Sequence, residues 1–318
     1  MRVLLIGSGA REHAIAEAFR RNKTVELFSY MKSKNPGIFS LSKNIEIGSY
    51  SDLEKIKKFA LKNEVELAFI GPEDPLSLGV VDALEHEGIN AVGPTKLMAR
   101  LETSKSFTRE LLQKYSIDGN PNFKVFNKNN SDEIKYFMNE LDAVVVKPDG
   151  LTGGKGVKVQ GDHFNTKNEA RDYCEEILKT HPAVIVEEKL DGEEFSLQCI
   201  TDGKTVIATP PVQDHKRAYE DDKGPNTGGM GSYSCENHLL PFLKKEHVEK
   251  ALEITRKVVK AINDETELDY KGIMYGGFIV TKNGVKLIEY NARFGDPEAM
   301  NVLPLLKTDL AGICYAII

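Results

Sequence analysis

Long apolar runs are missing from this chain, and so is any excess of basic charge. No stretch is long enough to span a bilayer, which excludes a membrane protein of the helical kind. The run Met-Arg-Val-Leu-Leu-Ile-Gly at the N-terminus has only a strand's length and is soon followed by Arg11 and Glu12, so it is not a signal peptide. Asp and Glu (48) outnumber Lys and Arg (42), and the two signs are interspersed. A nucleic-acid partner would leave a basic face or stripe, and none is visible. Cysteine is sparse: Cys174, Cys199, Cys235 and Cys314 are scattered, with no CxxC pair. That argues against zinc ligation and a disulfide framework, and predicts a cytoplasmic protein with buried thiols. His215 has no second histidine at a ligating distance in sequence, and the other six are isolated too. What is present is a globular composition, 41% apolar and 28% charged. At 318 residues it is too long for one ordinary core, so two or three domains are expected.

Residues 1–100 alternate strand-like and helix-like segments. Residues 3–6 form a continuous apolar run ending in Gly7, the mark of a strand buried on both faces. Further strands are predicted over 25–29, 67–70 and 91–92, with helices over 10–21, from a capping box at Ser51-Asp52-Leu53-Glu54 through 61, and over 76–87. Such alternation predicts an open parallel sheet. Residues 95–115 read as helical, and Asn120-Pro121 then breaks the chain. A small α+β unit follows: helix 131–141, strand 143–147, a glycine-rich loop, strand 157–160, helix 167–179 and strand 184–190. Beyond it strands dominate, at 194–200, 205–209, 274–281 and 285–290, interrupted by one long helix over about 244–264. The chain closes on Leu-Ala-Gly-Ile-Cys-Tyr-Ala-Ile-Ile, an apolar helix whose faces need a partner, so the natural protein is expected to continue.

Three glycine-rich segments carry the chemistry. Gly7-Ser8-Gly9-Ala10-Arg11-Glu12 joins a strand to a helix, where free backbone N–H groups can hold an anion. A dinucleotide fingerprint is disfavoured, because Glu12 replaces the third glycine and the second strand lacks a terminal acid. A tight turn without a ligand is the competing reading, while Arg11 and His13 favour a phosphate. Lys147-Pro148-Asp149-Gly150-Leu151-Thr152-Gly153-Gly154-Lys155-Gly156 is not a P-loop. Asp149 stands where the first glycine should be, Gly156 where Ser or Thr should be, and a strand follows. A glycine hairpin between strands can instead close over a triphosphate, with Lys147 and Lys155 offsetting charge. In the third segment, Leu287, Glu289, Asn291 and Arg293 share a face of one strand by period-2 geometry. The carboxylate and amide oxygens can ligate Mg²⁺ and Arg293 can steady a phosphoryl group, although taken alone the segment reads first as a solvated strand edge. Arg293-Phe294-Gly295-Asp296-Pro297-Glu298 follows at once, and Asp214–Arg217 leads into Gly224–Gly231.

Together these residues resemble the phosphoribosylamine–glycine ligase family of the ATP-grasp superfamily. The resemblance covers nearly the whole chain. It runs through Gly7-Ser8-Gly9 with Arg11-Glu12-His13, Gly71-Pro72-Glu73, the 147–156 loop, Glu187-Glu188, Asp191–Ser196, Gln213–Arg217, Gly224–Gly231 and Glu289–Glu298. Pro148 departs from the family's usual small residue, and the family's C-terminal domain is absent from this sequence. The resemblance implies an N-terminal parallel-sheet domain (1–103), an ATP-grasp core (104–120 and 190–318) and a lid (121–189). It implies an enzyme that couples ATP hydrolysis to joining glycine and phosphoribosylamine through glycyl phosphate, acting as a monomer or weak homodimer.

By matched position, Lys105, Lys147, Gly153, Gly154, Gly156, Glu187, Lys189 and Glu194 would hold ATP, and Glu289 and Asn291 would hold Mg²⁺ or Mn²⁺. Arg293, Asp296 and Lys155 would act on the reacting groups. Gly9, Arg11, Glu12, His13, Gly71, Pro72, Glu73, Asp214, Lys216 and Gly229 would bind the other substrates. Rival readings are a formate-using or carboxylating ATP-grasp ligase, an oxidoreductase built on Gly7-x-Gly9, and a non-catalytic ATP-binding module.

Overall fold

A computed structural model describes the chain apart from Asn129, Gly154, Lys155, Asp221, Asp222 and Gly228, and apart from the side chain of Asn226. Five parallel strands form the N-terminal sheet in the order Asn44–Ile47, Glu26–Met31, Arg2–Ile6, Leu67–Ile70, Asn90–Val92. Leu4 and Ile6 enter one apolar cluster and Val3 and Leu5 another, which is why the segment is apolar at consecutive positions. The chain winds outward in one direction from Arg2–Ile6 and in the other from Leu67–Ile70. The carboxyl ends of these two strands therefore form the switch point, where ligands settle in open α/β sheets.

A second, antiparallel sheet has the order Val206–Ala208, Glu193–Thr201, Gly272–Thr281, Gly284–Asn291. The 22-residue helix Lys245–Thr266 covers it with Ala251, Ile254, Val258 and Ile262. Those residues belong to the same cluster as Leu4 and Ile6, so the first two sheets share a core. The third sheet, Phe123–Phe126, Val184–Glu188, Val144–Pro148, Lys158–Val159, packs under the helices Ser131–Asn139 and Lys167–Ile177 around a core of its own.

Several details differ from the sequence reading. The helix Pro36–Leu41 and the edge strand Asn44–Ile47 were not expected. The stretch 95–115 is broken at Ser104, whose hydroxyl caps the helix Lys105–Lys114 by accepting from Phe107 N at 3.2 Å. Asp52, not Ser51, caps the helix Leu53–Lys62, accepting from Lys55 N at 3.0 Å.

The period-2 expectation for 287–293 fails at Leu287. Gly277 pairs with Glu289 but Phe278 pairs with Leu287, which leaves Ile288 as the extra residue of a β-bulge. Val285 and Leu287 enter the core before the bulge, and Tyr290 and Ala292 enter it afterwards. Glu289 and Asn291 consequently lie on the face opposite Leu287. Among the described residues, no helix is long and apolar enough to cross a membrane.

Candidate functional site

Because of that bulge, Glu289 lies over Gly277 and lines a cleft with Glu194, Ser196, Asp214, Lys216, Tyr275, Ile288 and Glu298. Glu194 and Ser196 come from alternate positions of one strand. Burial works against the charge on Glu289, yet its carboxyl is held below the usual range by Lys216, Lys147, Lys105 and Arg293. Four cations from separate segments thus converge on one carboxylate. Burial likewise works against charge on Lys216, but Glu289, Glu194, Asp214 and Glu298 outweigh it and raise its ammonium. Asp214 is pushed up to about 6, first by burial and then by Glu298, with Lys216 and His215 opposing. Its Oδ1 is buried and has no hydrogen-bond partner among the described residues. Gly229 lies beside it: a Cβ built there would sit 3.3 Å from Pro297 Cδ and 3.4 Å from Asp214 Oδ1.

The glycine hairpin is tied down at its first half. Asp149 accepts from Ser106 N at 3.1 Å and from the hydroxyls of Ser104 at 3.1 Å and Ser106 at 2.6 Å. Lys105 Nζ donates to Gly150 O at 2.7 Å, and its ammonium is depressed by burial with a further push from Lys147, against the pull of Glu289. Pro148 lies against Gly156, where a Cβ would meet the proline Cγ at 2.5 Å. Gly153 borders the hairpin tip, while Gly154 and Lys155 lie outside the described residues. Lys147 Nζ is 2.7 Å from Glu187 Oε2 and 3.3 Å from Ile288 O. The Glu187 carboxylate is not open to the cleft, since it is buried between Lys147 and Arg109. Burial alone would raise it, but the two cations bring it down to about 2. Lys189 is exposed and reaches Gln160 O at 3.1 Å.

At the switch point the expectation of free backbone amides is corrected at Gly9. Glu12 is buried and its Oε2 accepts from Gly9 N at 2.6 Å, while its Oε1 accepts from Arg11 Nε at 2.5 Å. Gly7 and Gly71 make room for this: a Cβ on either would lie 2.1 Å or 2.3 Å from Glu12 Cγ. Pro72 precedes the helix Glu73–Leu78, and His13 packs on Gly37 with Nε2 3.5 Å from Glu17. Arg11 reaches across to Phe294 O at 3.1 Å. Arg293 returns the contact, 3.2 Å from Glu73 and 2.8 Å from Glu102, and donates to Asn291 Oδ1 at 3.2 Å. Asp296, followed by a cis bond to Pro297, comes close to Gly9. The structure therefore brings the switch-point residues to the same place as Arg293 and Asp296.

Sequence reasoning missed Arg109, Glu102, Gln198, Tyr275 and the site position of Glu298. Tyr275 donates to Glu298 at 2.7 Å, and Gln198 accepts from Gly295 N at 2.8 Å. Glu102 accepts from Ala292 N at 2.8 Å. Arg109, Glu102, Gln198 and Tyr275 lie in otherwise ordinary helix or strand patterns, so only a buried polar position at a core-facing register could have flagged them, whereas Glu298 closes the ionisable run that begins at Arg293.

Residues 1–102 match the family model described as phosphoribosylglycinamide synthetase, N domain, and residues 103–299 match the ATP-grasp (A) domain of the same synthetase. A phosphoribosylamine–glycine ligase of Methanococcus maripaludis is 52% identical over 100% of this chain and 72% of its own length. That of Methanocaldococcus jannaschii is also 52% identical, over 100% of this chain and 73% of its own. The crystal structure of the Thermotoga maritima ligase superposes with a TM-score of 0.79 at 29% identity, covering 96% of this chain and 72% of that one. A parallel-sheet domain followed by an ATP-grasp fold, with these matches along nearly its full length, places the chain: it belongs to the phosphoribosylamine–glycine ligase family.

Proposed function

We propose that this chain is an ATP-dependent carbon–nitrogen ligase of purine synthesis, joining glycine to 5-phosphoribosylamine to give glycinamide ribonucleotide, ADP and phosphate. The observation that carries the site assignment is the cleft in which Glu289 lies beside Lys216, Asp214, Glu194 and Glu298, with its charge favoured by Lys216, Lys147, Lys105 and Arg293. A carboxylate is a poor acyl donor until it is phosphorylated. The glycine carboxylate attacks the γ-phosphorus of ATP, the bond to the β–γ bridging oxygen breaks, and glycyl phosphate and ADP result. The amine of phosphoribosylamine then attacks the acyl carbon and phosphate leaves. The protein's part is to position, neutralise and exclude water.

Lys105 and Lys147 would meet the phosphate oxygens, and backbone amides of the glycine-rich loop would add to them. We assign Gly153, Gly154, Lys155 and Gly156 of that loop, with Lys189 and Glu194, to the nucleotide. The lid so used is the unit 121–189. Glu289 and Asn291 offer two oxygen donors, one of them ionised, which fits Mg²⁺ or Mn²⁺. Such an ion would draw charge from the phosphate oxygens. Arg293, oriented by Glu73 and Glu102, faces the place where an acyl phosphate would form, and Asp296 can orient an amine. Asp214, Lys216 and Gly229 suit the glycine zwitterion. Gly9, Arg11, Glu12, His13, Gly71, Pro72 and Glu73 frame the phosphoribosylamine side. The setting is the cytoplasm, with the chain as a monomer or weak homodimer and small molecules as its partners.

ADP formation is measured with ATP, Mg²⁺, glycine and phosphoribosylamine, each left out in turn. Turnover is expected only with the full set, and turnover indifferent to glycine would point to another ATP-grasp ligase. Glu289→Ala should lower metal-dependent ADP formation by about a hundredfold or more with the fold intact by circular dichroism. Full turnover in that variant would refute the metal assignment.

A further inference from the structure

Arg109 does not itself line the cleft, yet its guanidinium reaches the backbone of a residue that does, Ile288. It lies one turn after Lys105 on the helix Lys105–Lys114 and is 2% exposed. Its Nε donates to Glu187 Oε1 at 2.7 Å. Its Nη2 donates to Glu187 Oε2 at 3.0 Å and to Ile288 O at 2.6 Å. Its Nη1 donates to Leu287 O at 3.1 Å and to Asn120 Oδ1 at 3.4 Å. A guanidinium has five N–H groups in a rigid fork, and here every one has an acceptor.

The acceptors matter for where they lie. The carbonyls of Leu287 and Ile288 are those of the β-bulge, the feature that turns Glu289 away from the face of Leu287 and into the cleft. Glu187 is the anion that holds Lys147, with Nζ 2.7 Å from Oε2. The Ile288 carbonyl also receives Lys147 Nζ at 3.3 Å, so one oxygen joins both arrangements. Asn120, in return, donates from Nδ2 to Arg109 O at 3.0 Å just where the chain leaves for the third sheet.

We propose that Arg109 is a positioning residue for the nucleotide side of the reaction: from behind the cleft, its single guanidinium fixes both the bulge that presents Glu289 and the carboxylate that aims Lys147. This rests on the ligase reading above, because it assigns Glu289 and Lys147 to the ATP–metal side. A lysine cannot reproduce the effect, since three donors on one point cannot reach two strands and a carboxylate together. A merely structural arginine would join the third sheet to the second, and its loss would lower the melting temperature alone.

The test uses the full chain with Arg109→Lys, Arg109→Ala and Glu187→Gln. KM for ATP and kcat are measured at saturating glycine, KM for glycine at saturating ATP, and ATP affinity by calorimetry. In all three variants KM for ATP and the ATP dissociation constant should rise about tenfold or more, in line with losing an outer-shell partner. KM for glycine should stay within about twofold, as expected when one side of the site is disturbed. Guanidinium chloride at low concentration should restore part of the ATP affinity of Arg109→Ala, where sodium chloride does not. If Arg109→Ala fails to fold, Arg109→Lys and Glu187→Gln decide alone. A fall in melting temperature with unchanged ATP affinity in those two overturns the proposal. Wild type that turns over no ATP with glycine would refute the ligase reading instead, and the calorimetric comparison would still decide the placement of Arg109.

Discussion

Asp214 is faced by charges of both signs. Glu298 and Asp296 face it, Lys216 and His215 oppose them, and burial and Glu298 together push its carboxyl up to about 6 from 3.8. The sign of the consequence follows from linkage. A pKa raised in the folded state contributes stability below 3.8, and that contribution is lost as pH rises through about 6. The stability of Asp214→Asn relative to wild type should therefore grow between those two pH values and then level off, as read by thermal melting across pH. If Asp214 receives the glycine ammonium, it must also be ionised to do so. Wild-type kcat/KM for glycine should rise through pH about 6, a step that Asp214→Asn should lack. A variant that keeps the step would remove Asp214 from glycine binding. Residues of this kind differ in how readable they are. Glu289 and Asn291 precede the dense run of ionisable groups at residues 293–298, but on their own strand they read as a solvated edge, and only the family resemblance singles them out. Arg109 sits in Lys-Ser-Phe-Thr-Arg-Glu-Leu-Leu-Gln-Lys, where it reads as one more surface charge on an amphipathic helix. Its partners are 11, 78 and 178 or more residues away in sequence, so only the fold assembles them.

Elements whose signal is local were legible, and those whose geometry depends on a neighbour were not. The buried strand Leu67–Ile70 and the long helix Lys245–Thr266 follow from apolar runs and from a sustained 3.6-residue period. The bulge at Ile288 has no local signature, because it is a mismatch between two strands and appears only when Gly272–Thr281 is laid beside Gly284–Asn291. The ribbon Gln213–Asp214 with Ser232–Tyr233 is two residues per strand, too short to show a period. The cap of the helix Leu53–Lys62 lies between these cases. Ser51 and Asp52 both have capping chemistry, but Ser51 bonds Ser49 at 2.7 Å and Asp52 takes Lys55 N. Asp52→Ala should then cost about 1 kcal/mol in urea unfolding and Ser51→Ala only a few tenths. Equal losses would return the cap to Ser51.

At the scale of the whole molecule, the switch point of the first sheet and the end of the second are held in register by buried charge. Arg293 crosses from one to the other to meet Glu73 and Glu102, and Arg11 crosses back to Phe294 O. Burial drives the Glu102 carboxyl up, and Arg293 is the main force holding it down. Removing the cation alone leaves that buried carboxylate next to Glu73 without its main counter-charge, so Arg293→Met should cost about 3–5 kcal/mol. Glu102→Gln should cost less, because an amide oxygen can still accept from Ala292 N at 2.8 Å. The informative measurement is the double variant. If the charges are coupled as the distances indicate, Arg293→Met with Glu102→Gln should be more stable than the sum of the two losses predicts, by about 1–3 kcal/mol in urea unfolding. Strict additivity would mean that Glu102 is already protonated and neutral beside Arg293. In that case the two halves of the site would be joined by packing of Phe294 against Phe69, ring centroids 6.1 Å apart, and not by the ion network.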